Sequence, residues 1–169
     1  MYLLQPRLRG LSVKLRNGGT LDVKSYLDSP GIIDLPCHGQ GRLESWRKWS
    51  FPYRQAPAGA RPAPEGWVTV RKERRVARFP LPSGQDPALA PLDAGTGCLA
   101  ELTDARLGGN RWWSVGLEAT GSAGLLRAAL QHAAGLLFAK PVPHAGGFSL
   151  DNCLSYAQWL HEQPGQDQG

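Results

Sequence analysis

The stretch LSVKLRNGGTLDVKSYL, residues 11–27, constrains the chain more than any other. Leu11, Val13 and Leu15 alternate with Ser12, Lys14 and Arg16. After Asn17-Gly18-Gly19, Leu21 and Val23 alternate with Asp22, Lys24 and Tyr26. Period-two alternation on both sides of an Asn-Gly step predicts two antiparallel strands joined by a tight turn. It also sorts the side chains. One face is aliphatic, and the other carries Lys14, Arg16, Asp22 and Lys24. That polar face either meets solvent or, if the sheet curls with it inward, lines a basic cavity.

The same period recurs downstream. Tyr2-Leu3-Leu4 is a short strand candidate, and RLESWRKWSF (42–51) places Glu44, Trp46, Lys48 and Ser50 on one side. WVTVRKERRVARF (67–79) reads as one long strand, with Lys72 and Arg74 on one face and Arg71, Glu73 and Arg75 on the other. Charge on both faces fits an exposed edge strand or a barrel strand with a wet inner face. GCLAELTDARL (97–107) and RWWSVGLEAT (111–120) flank Gly108-Gly109-Asn110 and predict a second hairpin, with Glu101 and Glu118 on its more polar side. Segments 28–41, 52–66 and 80–97 are rich in turn formers and predict long loops.

At Ser122 the period changes. Leu125, Leu126, Ala129, Leu130, Ala133, Leu136 and Leu137 recur at helical spacing over residues 122–139, with Ser122 as the expected N-cap and Lys140-Pro141 as the stop. Many strands with no helices between them predict a mainly β, α+β chain: an antiparallel barrel or curved sheet with one C-terminal helix. The expected organisation is a single domain over 1–160 and a polar tail at 161–169.

The succession VKLR (13–16), LDVK (21–24), LESWRKW (43–49), VRKERR (70–75), LAELTD (99–104) and SVGLEA (114–119) resembles the CYTH superfamily, the triphosphate tunnel metalloenzymes. Basic strands come first and acidic strands after. The resemblance covers most of residues 11–120. It implies an eight-stranded antiparallel barrel around an open tunnel, and metal-dependent hydrolysis of inorganic or organic triphosphate. It implies that Lys14, Arg16, Lys24, Lys48, Lys72 and Arg74 bind phosphate, and that Glu101, Glu118 and Glu44 hold Mg2+ or Mn2+. The family opens on an ExExK strand, which MYLLQPRL lacks.

Composition agrees with an anionic partner. The chain has 169 residues and a formal net charge of +5, with 19 Lys plus Arg against 14 Asp plus Glu. Such an excess favours polyphosphate, nucleotide, nucleic acid or a membrane surface, without choosing among them. Three readings follow: a triphosphatase, a non-catalytic module binding a polyanion or nucleotide, and a β domain binding single-stranded nucleic acid through basic side chains and its tryptophans. On any of them Glu101 and Glu118 are either metal ligands or salt-bridge partners of the bases. Cys37, Cys98 and Cys153 form no CxxC pair, and the four histidines have no ligand spacing, so neither a disulfide framework nor a zinc site is predicted. The expected setting is reducing and cytoplasmic, with no signal peptide and no membrane-spanning helix.

Overall fold

The computed structural model describes residues 1–4, 9–16, 19–53, 65–80, 97–141 and 148–163. The chain is mainly antiparallel β. Its strands are β1 (Tyr2–Leu3), β2 (Leu11–Arg16), β3 (Thr20–Leu35), β4 (Gly39–Pro52), β5 (Trp67–Val68), β6 (Arg71–Pro80), β7 (Gly97–Leu107) and β8 (Asn110–Thr120). A 3-10 turn at Ala123–Leu125 leads into helix α1 (Leu126–Leu137), and α2 (Tyr156–His161) follows. Among the described residues, no helix is long and apolar enough to cross a membrane.

These strands form two sheets rather than one closed barrel. The first has five strands in the order β4-β3-β2-β1-β5, and the second has three in the order β6-β7-β8. The division falls inside the segment predicted as one strand over 67–79. Trp67–Val68 pairs with β1, the ladder is interrupted at Thr69 and Val70, and Arg71–Pro80 starts the second sheet. β6 is then an edge strand, and its run of charges suits an edge that should not recruit another chain. The contacts divide the chain into two compact units. One comprises residues 1–32, 42–70 and 150–169, and the other residues 33–41 and 71–149.

In the first unit the predicted hairpin forms with Lys14 opposite Asp22 and Leu15 opposite Leu21. Gly19 turns the corner at φ +80°, a conformation glycine adopts without a Cβ penalty. The residues expected as a loop over 28–41 are instead mostly strand. β3 and β4 continue as a long hairpin closed by a turn at 36–38. Turn formers do not end β3 because β2 pairs only as far as Ser25. Beyond it Pro30 has no β2 ladder to interrupt, and Gly31 takes φ +109° without strain. Ser29 Oγ donates to the Leu43 carbonyl at 2.8 Å. Tyr2, Leu15 and Leu43 are buried, and Ala157 and Leu160 of α2 are buried as well. Ser155 and Gln158 cap α2 reciprocally, and Tyr156 stacks on Tyr2 with ring centroids 6.3 Å apart.

In the second unit β7 and β8 make the predicted second hairpin, with Gly108 and Gly109 at positive φ. α1 packs on one end of one sheet face. Ala129 and Ala133 meet Cys98, with Phe79, Leu117, Ala119 and Leu130 around them. Burial pushes the Cys98 thiol up to about 11, and the nearby Glu118 charge adds to it, against a hydrogen bond with the Glu118 backbone. The helix is shorter than its apolar pattern. Residues 123–125 are 3-10, and Ser122 makes no side-chain cap. The β3–β4 turn also belongs to this unit. Its His38 ring lies 5.4 Å from both Phe138 and Phe148, and Nε2 is 3.3 Å from the Lys140 carbonyl. Of the loops expected over 52–66 and 80–97 and the tail over 161–169, residues 54–64, 81–96 and 164–169 lie outside the described residues.

Candidate functional site

On the first sheet the alternation places Lys14, Arg16, Asp22 and Lys24 on one face, as the register Ser12–Lys24, Lys14–Asp22, Arg16–Thr20 requires. Asp22 is the centre of that face. Its side chain is 5% exposed, in the strand between β2 and β4. From β2, Arg16 Nε reaches Asp22 Oδ2 at 2.5 Å. From β4, Lys48 Nζ lies 3.6 Å from the same oxygen, and Ser50 Oγ donates to Oδ1 at 2.7 Å. Burial alone would raise the Asp22 carboxyl. Hydrogen bonds from Ser50 and Arg16, with the charges of Arg16 and Lys48, outweigh it and hold the carboxyl below its ordinary value. Asp22 is therefore an ionised carboxylate with a cation on each flanking strand, and both cations are partly open to solvent, at 44% and 38% of their side chains.

The remaining residues expected on this face have other neighbours. Lys14 sits 5.7 Å from the Tyr2 ring centroid, across from Asp22 in register. Lys24 is opposite Ser12. Glu44 accepts from Trp46 Nε1 at 2.9 Å, and Trp46 meets Tyr26 edge-on at 5.6 Å. Sequence reasoning placed Asp22 and Ser50 on the polar strand faces but gave neither a role in the site. The signal was present: Asp22 is the one acid among three bases on its hairpin face.

On the second sheet the register sets Lys72, Arg74, Glu101 and Glu118 on a common face. Lys72 is opposite Ala105, Arg74 opposite Thr103, Val76 opposite Glu101 and Leu99 opposite Glu118. Arg74 Nη1 meets Glu101 Oε2 at 3.2 Å, and Thr103 Oγ1 donates to Glu101 Oε1 at 2.6 Å. Thr103 is 1% exposed, so this carboxylate is anchored from below. Arg71 is on the opposite face, as the alternation predicts.

Glu44, Glu101 and Glu118 are the carboxylates expected to hold Mg2+ or Mn2+. Glu44 belongs to the first unit, Glu101 and Glu118 to the second. Both Glu101 oxygens are engaged by Arg74 and Thr103. Among the described residues no group of three or more His, Cys, Asp or Glu could hold a metal ion.

The fold and this site define a two-sheet antiparallel β protein with cation-rich polar faces. No protein-family model, curated protein or solved structure matches the chain.

Proposed function

We propose that the chain is a CYTH-like module that binds a triphosphate or another short polyanion on the polar face of its first sheet. The observation carrying this reading is the pair of cations converging on Asp22. Arg16 and Lys48 approach one buried carboxylate from opposite sides, which fixes their heads without neutralising both. Lys14 and Lys24 extend positive charge along the face. A guanidinium and ammonium groups held in this way suit phosphate oxygens: Arg as a planar fork, Lys as point charges. Asp22 is a positioning residue and leaves phosphate contact to the bases.

A phosphohydrolase reading draws on a separate observation, that Lys72 and Arg74 share a sheet face with Glu101 and Glu118. On this reading Glu101 and Glu118 would hold Mg2+ or Mn2+, which would polarise the phosphoryl group, while Lys72 and Arg74 would neutralise phosphate charge.

Calorimetric titration with inorganic tripolyphosphate, with and without Mg2+, tests the binding proposal. Lys48→Ala should weaken binding by about 1–3 kcal/mol, the range of a charged hydrogen bond. Arg47→Ala, whose residue alternates to the other face, should leave it unchanged. Equal losses from the two, or no binding by the parent protein, would remove the proposal. Phosphate release in the same samples decides between binding and hydrolysis.

A further inference from the structure

The face of the second sheet opposite Lys72 and Arg74 holds an arrangement that single-strand alternation does not reveal. Arg71 is opposite Arg106, and Arg106 is opposite Arg111. An arginine therefore stands on each of the three strands in one transverse row. With strands about 4.8 Å apart, the row spans roughly 10 Å. Two residues further along the strands, Glu73, Asp104 and Trp113 form the next row, and Arg75 begins the one after.

Like charges directly opposite on neighbouring strands are destabilising, so the row carries a cost that acids in the adjoining row offset only in part. Asp104 takes Arg111 bidentately, with Nε at 3.1 Å and 3.0 Å from its two oxygens and Nη2 at 2.6 Å. Arg106 Nη2 lies 3.8 Å from the same carboxylate. Among the described residues of these rows, Asp104 and Glu73 face four arginines, Arg71, Arg75, Arg106 and Arg111, and positive charge is left over. α1 packs on the far end of this face, around Cys98. At the near end the side chains of Arg106 and Arg111 are 55% and 69% exposed, and Trp113 is 54% exposed. Phe148 meets the Trp113 indole edge-on at 5.8 Å and 84°, which braces the ring.

We propose that this face binds single-stranded nucleic acid, with phosphates on the row Arg71, Arg106 and Arg111 and a base stacked on Trp113. The charge row matches a polyanion, and the braced, exposed indole one row away adds what a bare polyphosphate would not use. Basic side chains that track a backbone beside an aromatic platform are the general means of holding single strands. The site is in the other unit from the triphosphate proposal, on the sheet face opposite Lys72 and Arg74, and depends on neither reading.

Fluorescence anisotropy with a labelled oligo-dT or oligo-U of about 15 nucleotides tests it, over a range of salt. Trp113→Ala should weaken binding roughly tenfold, within the range of one base stack, while Trp113→Phe keeps most of it. Arg106→Ala should weaken binding and flatten the dependence of log K on log salt by about 0.7, one phosphate contact on a single strand. Arg78→Ala, on the opposite face, should change neither. Thermal melts of each variant exclude unfolding. The proposal is overturned if the parent protein does not bind the oligonucleotide, or if Arg78→Ala costs as much as Arg106→Ala. It is also overturned if Trp113→Ala has no effect, or if anionic vesicles or tripolyphosphate compete at equal phosphate concentration for the same arginines.

Discussion

Asp22 is the residue whose removal says most about the first sheet. Asp22→Asn keeps the shape but withdraws the charge that Arg16 and Lys48 share. A loss of about 1–3 kcal/mol near neutral pH is expected in denaturant unfolding. The pH dependence has a defined sign. Because the folded carboxyl titrates below the ordinary 3.8, its contribution is full above the unfolded value and disappears as pH falls through the folded one. The stability difference between parent and variant should therefore shrink below about pH 4, as unfolding midpoints taken across that range will register. Cys98 runs the other way. Its thiol is raised from 9.0 to about 11, so the stability tied to it is full below 9.0 and lost as pH rises towards 11. In the native protein at neutral pH, iodoacetamide should label the exposed Cys37 well before the buried Cys98, which mass spectrometry of the alkylated peptides can follow. Equal labelling rates would mean that the Cys98 core opens freely.

At the level of elements, alternation was an accurate guide to faces and a poor one to ends. Lys14, Arg16, Asp22 and Lys24 share a face as the period predicts, and so do Lys72, Arg74, Glu101 and Glu118. Pro30 and Gly31 misled because turn chemistry ends a strand only where it interrupts a ladder, and β2 no longer pairs there. The break between β5 and β6 has no glycine or proline to announce it. α2 was legible in principle: Ser155 and Gln158 stand at capping-box spacing, yet a six-residue helix offers too little periodicity to be noticed. Ser155→Ala should cost about 1 kcal/mol, the ordinary value of an N-cap, seen as a lower denaturant midpoint. Gly19 is less forgiving. A Cβ there would lie 2.5 Å from the Tyr53 carbonyl oxygen, on backbone at φ +80°, while Tyr53 N donates to the Gly19 carbonyl at 2.6 Å. Gly19→Ala should destabilise by about 1–3 kcal/mol, and its melting temperature should fall by several degrees.

Across the whole molecule, mainly antiparallel β with a C-terminal helix was readable from composition and period. The partition into two sheets was not, because period-two patterning says which side a residue faces and is silent about which strands pair. Regular strand spacing suits one curled sheet as well as two. The burial of Asp22 escaped for a related reason: it involves β4, whose Ser50 lies 28 residues further along. If the first sheet binds tripolyphosphate, ligand at one hundred times its dissociation constant should add about 2.7 kcal/mol to stability, and calorimetric melting temperature should rise with ligand concentration. Lys48→Ala should need more ligand for the same rise.

The hairpin of β3 and β4 limits how the gene can be divided. The chain passes from one unit to the other after Ile32, Gly41, Val70 and Ser149, so neither unit is a continuous stretch of sequence. A fragment of 71–149 would keep α1 and the second sheet but forfeit residues 33–41, and with them the imidazole of His38 against Phe138 and Phe148. A fragment ending at Val70 would lose Tyr156 and Leu160. No single cut separates the two units.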